Sequence, residues 1–115
     1  MTQARGHHLA LRTIEYLSAF FPLINPGPKN AKKGTPKVDA LNTPGWVFEI
    51  KTPRDFRPTE WAQQARGYVR DGEVPVVIYF PERIGDKSID AAIAMLPLGE
   101  LMRLIVDAGR IPPPF

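Results

Sequence analysis

Residues 46–51 read WVFEIK, and this stretch decides how the middle of the chain folds. The run is aromatic and β-branched, which predicts a β-strand. Side chains alternate across a strand, so Glu49 and Lys51 share one face and point the same way. The opposite face carries Trp46, Phe48 and Ile50. An acidic and a basic side chain are therefore expected side by side on a sheet.

A second strand is predicted just upstream, because residues 38–42 read VDALN and the Asn-Thr-Pro-Gly that starts at Asn42 is typical of a turn. The two strands predict a hairpin in which Asp39 faces Glu49 and Lys51. Two carboxylates and one ammonium group can form a site for Mg²⁺, a cation that uses few protein ligands and keeps several waters. The backbone carbonyl of Ile50 could add a ligand. The alternative is an ordinary ion pair on an edge strand, since Glu-x-Lys alone is common.

Three helices are predicted around these strands. Apolar residues at helical spacing predict the first over 8–21; they are Leu9, Leu11, Ile14, Leu17, Phe20 and Phe21. The second follows Pro58 over 59–71, and an amphipathic run predicts the third over 98–108.

Two more strands complete the pattern. The nearly continuous apolar run at 74–80 predicts a buried central strand, and 89–96 predicts a last one. The expected order is αββαββα, with a mixed central sheet flanked by helices. At 115 residues the chain is expected to be a single α/β domain, 1–115, with a Pro-rich tail at 111–115.

Composition excludes several classes of protein. The chain has no cysteine, which rules out disulfides, zinc thiolate sites and a thiol nucleophile. No apolar run approaches the roughly 20 residues that span a bilayer. The segment after Met1 lacks a signal-peptide pattern, so we expect a cytoplasmic protein that does not bind membranes.

Positive charge is concentrated in one segment. The net charge is +3, and residues 25–37 form a predicted basic loop of Pro, Gly, Asn and Lys. Candidate contacts to DNA phosphates are Lys29, Lys32, Lys33 and Lys37, with Arg54 and Arg57 beyond the hairpin. The alternative is a solvated connection.

The order of these motifs resembles the PD-(D/E)XK nuclease superfamily. Asp39 precedes Glu49-Ile50-Lys51 by about ten residues across a turn, and a helix with Gln64-x-x-x-Tyr68 follows, as in RecB-like members. The run from Asp39 to Phe80 is similar to small Holliday junction resolvase-like proteins of phages of actinobacteria. This resemblance is good over the middle third of the chain and weak over the last strand and helix.

The resemblance implies a restriction-endonuclease-like core and roles for particular residues. Asp39 and Glu49 would bind Mg²⁺, with Mn²⁺ able to substitute, and Lys51 would be the catalytic lysine. Gln64 would lie near the site and help place water or a phosphate. Tyr68 would either join it or pack in the core.

The chain also departs from the superfamily pattern. Val38 replaces the proline before the aspartate. A Gly-x-x-x-Glu pattern counted from Gly6 reaches Ala10 instead of a glutamate. Glu15 either substitutes from the next turn or faces solvent.

These observations lead to an expected function. We expect a Mg²⁺-dependent endodeoxyribonuclease that cleaves branched DNA as a Holliday junction resolvase, acting in the bacterial host cytoplasm if phage-encoded. The alternatives are a structure-selective nickase or flap nuclease, and an inactive DNA-binding module of the same fold. Matched nicks need two sites, so a homodimer is expected. Surplus apolar residues on the first helix and at Ile111 and Phe115 would supply its interface.

Overall fold

A mixed three-stranded sheet forms the centre of the protein. The structure is a computed structural model and describes residues 2–27, 38–52, 56–81 and 86–112. Strand β3 (Trp46–Lys51) pairs in parallel with β4 (Val74–Tyr79), and β4 pairs antiparallel with β5 (Ile93–Met95). The strand order is therefore β3-β4-β5. The first five residues of β4 are buried, which confirms the central strand that its apolar run predicts.

Helix α2 (Pro58–Gly67) connects the two parallel strands. Parallel neighbours cannot be joined by a tight turn, so the chain crosses one face of the sheet before it returns. Trp61 and Ala65 of α2 are buried there against Val77 of β4. The helix ends four residues before the end of the predicted span 59–71.

Helix α1 (Thr2–Leu17) covers the other face of the sheet. Its buried residues Leu9, Ile14 and Leu17 belong to the same core cluster as Phe48 and Ile78. The helix begins earlier and ends earlier than the predicted span 8–21.

Two residues of the apolar stripe predicted for the first helix are exposed rather than buried, Leu11 and Phe20. The predicted apolar residues therefore divide into one set that packs in the core and another that faces solvent. Ile111 in the tail is also exposed, and Phe115 lies outside the described residues.

The predicted hairpin between 38–42 and 46–51 is wrong as a strand pairing. Strand β2 is only Ala40–Leu41, and it pairs antiparallel with a two-residue strand β1, Asn25–Pro26. The predicted loop 25–37 therefore begins with strand residues. The turn between the two segments is nevertheless present, because Trp46 N–H donates to Thr43 O at 2.9 Å.

The C-terminal part differs from the prediction at its first element. A 3₁₀ helix, Asp86–Ala91, occupies the start of the predicted strand 89–96, so β5 is only three residues long. Helix α3, Leu98–Asp107, confirms the predicted amphipathic helix, and Gly109 follows it with a positive φ of 73°. The described residues thus form an α/β domain with three α-helices and a mixed sheet.

Candidate metal and phosphate site

Glu49 and Lys51 lie on the sheet face that α2 covers. The register pairs Glu49 with Val77 and Lys51 with Tyr79, and Val77 is buried against α2. This confirms the alternation predicted from the sequence, since Phe48 packs on the opposite side with α1. Lys51 Nζ lies 3.4 Å from Glu49 Oε2.

Asp39 is held against β3 by its side chain. The backbone N–H of Ile50 donates to Asp39 Oδ2 at 2.7 Å. The main-chain carbonyl of Asp39 accepts instead from Gly27 N–H at 3.0 Å. The aspartate therefore joins two parts of the chain, with its backbone bonded beside β1 and its carboxylate bonded to β3. At this point a hydrogen bond to a side chain connects the segment to β3, in place of the main-chain hydrogen bonds that a hairpin would have.

The approach of Gly27 to the residue before Asp39 leaves no room for a side chain. A Cβ atom at Gly27 would lie 1.6 Å from Val38 O. Non-bonded heavy atoms are attracted to one another only at about 3.5–4.0 Å, so any other residue would push the two segments apart. Gly27 thus sets the position from which Asp39 reaches Ile50.

The carboxyl groups of Glu49, which is buried, and Asp39, which is half-buried, lie close enough to affect each other. Burial, and then the nearby charge of Asp39, raise the pKa of Glu49 from 4.5 to about 7. Burial also raises the pKa of Asp39, while the Ile50 hydrogen bond and the charge of Lys51 act in the opposite direction. The contact between the carboxyl groups raises the pKa of Glu49, so this pair retains a proton more readily than isolated carboxyl groups do.

One oxygen of Glu49 is buried without a hydrogen-bond partner among the described residues, Oε1. The whole residue is only 1% exposed. A buried unpaired carboxylate oxygen is costly in free energy, and groups of this kind are normally paired or bound to a cation. Glu49 therefore presents a ligand atom that no residue in the described part of the chain pairs with.

The donor set fits a hard divalent cation. Asp39 and Glu49 supply carboxylate oxygens, and a strand residue directs its N–H and C=O to the same edge. Because the Ile50 N–H points to Asp39, its carbonyl is on that edge too. The described residues contain no group of three or more His, Cys, Asp or Glu side chains that could hold a metal. Two carboxylates and a carbonyl still suit Mg²⁺, which retains several waters.

The first helix approaches the site without contributing a carboxylate to it. A Cβ atom at Gly6 would lie 2.9 Å from Oγ1 of Thr52, the residue after Lys51. Ala10, one turn further along α1, is half-buried. Glu15 has a 71% exposed side chain and pairs with Arg12 at 3.3 Å, so it faces solvent.

The two candidate residues on and after α2 differ in their surroundings. The side chain of Gln64 is exposed, and its role near the site stays a prediction. Tyr68 follows the last residue of α2 and is half-buried. It lines a cavity of about 460 Å³ together with Val38 and Val47.

The candidate DNA-contacting residues are only partly described. Lys29, Lys32, Lys33, Lys37 and Arg54 lie outside the described residues. Arg57 immediately precedes α2, has a 60% exposed side chain and lies 3.4 Å from Glu60 Oε2.

An aromatic group next to the site was not predicted. Phe56, Trp61 and Tyr79 form a triangle whose ring centroids are 5.1–5.6 Å apart. Phe56 precedes the N-cap residue Arg57, and Trp61 is the fourth residue of α2, which is the spacing of a hydrophobic staple. This spacing is readable in the sequence once the start of the helix is known.

Comparison with models of protein families, with curated proteins and with solved structures finds no significant match to this chain. Within the described residues, no helix is long and apolar enough to span a membrane.

Proposed function

We propose that the protein is a metal-dependent DNA endonuclease whose active site is Asp39, Glu49 and Lys51. The observation that carries this proposal is the buried, unpaired Oε1 of Glu49 beside a second carboxylate and a lysine. Such a group is costly in a merely structural position. A cation site that works on a phosphodiester would use all three side chains.

Each residue has a distinct role in this proposal. Asp39 and Glu49, with the Ile50 carbonyl, would hold Mg²⁺, or Mn²⁺ in its place. A bound divalent cation supplies Lewis-acid polarisation of the phosphate and orients the attacking water. Glu49 must first give up the proton that its raised pKa retains near neutral pH. Metal binding is therefore favoured above about pH 7.

Lys51 would act on the phosphate rather than on the cation. Its side chain is 23% exposed, so the ammonium reaches solvent while Glu49 holds it in place. In hydrolysis, the oxygen of water bonds to phosphorus and one P–O ester bond breaks. Before that bond breaks, the phosphate oxygens carry extra negative charge. A positioned ammonium group stabilises that charge. Gln64 is proposed to help place the water or a phosphate oxygen.

Branched DNA, and four-way junctions in particular, is the proposed substrate. The basic composition and the lysines before Asp39 support binding to nucleic acid. The preference for junctions rests on the sequence resemblance alone. A nickase or flap nuclease is the second candidate, and an inactive DNA-binding module is the third. The complete Asp39, Glu49 and Lys51 set argues against the third.

We also propose that the enzyme works as a homodimer through α3. None of the ten residues of α3, all of which the structure describes, is buried. Leu98, Leu101 and Met102 are exposed, and with Ile105 they follow helical spacing along one side. Glu100, Arg103 and Asp107 lie on the other side.

A second copy of the chain suits this face because the stripe is self-complementary. An antiparallel two-fold pairing brings the Leu98 end of one helix against the Ile105 end of the other. A helix of this length is about 15 Å long. The contact between two such helices buries less than the roughly 800 Å² per partner of a standard interface. We therefore expect a dissociation constant in the micromolar range. A two-fold dimer would supply the two sites that paired nicks require.

Cleavage assays with Mg²⁺ on a four-way junction, a flap and a plain duplex test the proposed function. Asp39→Asn and Glu49→Gln should abolish cleavage but largely keep DNA binding, because these side chains hold metal. Glu60→Gln, which changes an exposed glutamate on α2, is the matched control and should cleave normally. Near wild-type cleavage by either site variant would reject the assignment.

A further inference from the structure

Phe56 is an aromatic side chain that the fold holds at the surface. The residue is 57% exposed, whereas Trp61 beneath it is 5% exposed. The Phe56 ring meets Trp61 almost edge-on at 5.6 Å and lies tilted over Tyr79 at 5.1 Å. Two neighbouring rings therefore fix its orientation, and one side of it remains open.

The helix staple explains only part of this arrangement. A staple needs contact between Phe56 and Trp61, which any large apolar residue would provide. It does not require the second contact with Tyr79 or an exposed ring. Aromatic rings with one free face are the surfaces on which nucleic-acid-binding proteins stack bases.

The aromatic group adjoins the candidate active site on the same sheet face. Tyr79 is the register partner of Lys51, and neighbouring strands are about 4.8 Å apart. Phe56 therefore packs over the β4 residue that lies next to Lys51, on the same face of the sheet. Arg57 follows Phe56 directly in the sequence and has an exposed side chain, and Lys51 is the strand neighbour of Tyr79, so two cationic residues belong to the same region. A nucleotide, with an apolar base and a charged phosphate, matches this combination.

We propose that Phe56 stacks on an unpaired base next to the phosphate bound at Asp39, Glu49 and Lys51. This inference rests on the proposed function and narrows its substrate class to DNA with unpaired or splayed bases at the cleavage point. A continuous duplex cannot present a base face to the ring, because its bases are stacked on each other. Open junction centres and flaps can.

The test measures stacking without cleavage. A flap duplex carries the fluorescent base 2-aminopurine at the first unpaired position, and the same strand fully paired serves as comparison. Protein is titrated in metal-free buffer containing a chelator. The wild-type protein should change the emission of the flap probe, and Phe56→Leu should remove that change. Binding of the flap should weaken about 5- to 140-fold, the range that removal of one base–aromatic stack produces. Binding of the paired probe should not change.

Three variants make the result specific. Phe56→Leu keeps an apolar side chain for the staple, and thermal unfolding checks that it is folded. Phe56→Trp should restore the emission change. Phe20→Ala is the matched control, since Phe20 is 65% exposed just after α1, the helix on the other side of the sheet from α2, and should behave as wild type.

Failure of this inference is distinguishable from failure of the proposed function. If the wild-type protein with Mg²⁺ or Mn²⁺ cleaves no DNA, the nuclease is rejected. If it cleaves, and Phe56→Leu binds flap and duplex as the wild type does or weakens both equally, the base-stacking role is rejected and Phe56 is a helix staple alone.

Discussion

The Asp39 carboxylate accepts a 2.7 Å hydrogen bond from the backbone N–H of Ile50, the residue between Glu49 and Lys51. This bond fixes one candidate metal ligand relative to the other two site residues without a backbone ladder. The position of Asp39 therefore depends on whatever holds its own backbone, which is the contact with Gly27.

Replacing Gly27 should damage the site from a distance. In Gly27→Ala the new Cβ would clash with Val38 O, so the segment carrying Asp39 must move. We expect lower stability, measured by unfolding, and a cleavage rate that is at least roughly tenfold lower. A loss of that order follows when a catalytic group is displaced by a small distance. Gly67→Ala is the control, because a Cβ at this last residue of α2 meets open space and should leave stability and cleavage close to wild type. Equal activity of the two variants would contradict this role.

Glu49 should make the metal-free protein less stable as pH rises. Its pKa is about 7 in the folded protein and 4.5 normally, so the folded state holds the proton more tightly. The contribution of the protonated Glu49 to the free energy of unfolding is therefore complete below about pH 4.5 and decreases as the pH rises to about 7. Glu49→Gln removes this loss, and at about pH 8 it should be more stable than wild type, by up to roughly 3 kcal/mol.

Denaturant titrations at about pH 4.5 and pH 8 in the presence of a chelator measure this difference. Glu60→Gln, with an exposed side chain, should match wild type at both pH values. A Glu49→Gln variant that is less stable than wild type at about pH 8 would mean that the carboxylate is satisfied without a cation. Adding Mg²⁺ should stabilise wild type more than the variant.

The lysines between β1 and Asp39 should control the salt dependence of DNA binding. Removing one phosphate-binding lysine should make the slope of log affinity against log salt shallower by about one. Neutralising Lys29, Lys32 and Lys33 together should therefore weaken binding and flatten the slope. Arg103→Gln, on the polar side of α3, should leave the slope unchanged. An unaltered slope in the triple variant would make the segment a connector only.

Self-association should depend on the apolar side of α3. Sedimentation at micromolar concentration should show a wild-type dimer with and without junction DNA. Leu98→Glu combined with Leu101→Glu places charge in the exposed stripe and should give a monomer that nicks junctions singly. Asp107→Ala, on the opposite side, should remain dimeric. A wild-type protein that is monomeric in both conditions would favour the nickase or flap nuclease.

The sequence predicts local structure here better than it predicts strand partners. Alternation in WVFEIK identifies which side chains share a face, and the continuous run at Val74–Tyr79 identifies the central strand. Both depend on neighbours along the chain. The hairpin prediction fails because strand pairing is a long-range choice, and the segment after Asp39 pairs with Asn25–Pro26 instead. The turn at Thr43 and Trp46 still brings Asp39 beside Ile50.

The sequence predicts that Asp39, Glu49 and Lys51 lie close together for a related reason. Asp39, Glu49 and Lys51 need only a turn and an alternating strand to meet. The Phe56, Trp61 and Tyr79 group joins a loop, a helix and a different strand. The spacing of Phe56 and Trp61 is local, but no local pattern predicts their contact with Tyr79. The sequence also does not predict that Leu11 and Phe20 are exposed. Helical spacing identifies an apolar stripe, but it does not show how much of that stripe the rest of the protein covers.

The bond from Gly27 N–H to Asp39 O has a practical consequence for engineering. It joins two residues that flank positions 28–37 in the sequence. Exchanging the sequence between them for longer or differently charged segments leaves both anchor residues in place. For an inserted segment that is flexible, each doubling of length costs only about 0.6 kcal/mol in closure entropy. Segments grafted at this one location would thus change the charge carried next to Asp39, with Asp39, Glu49 and Lys51 unchanged.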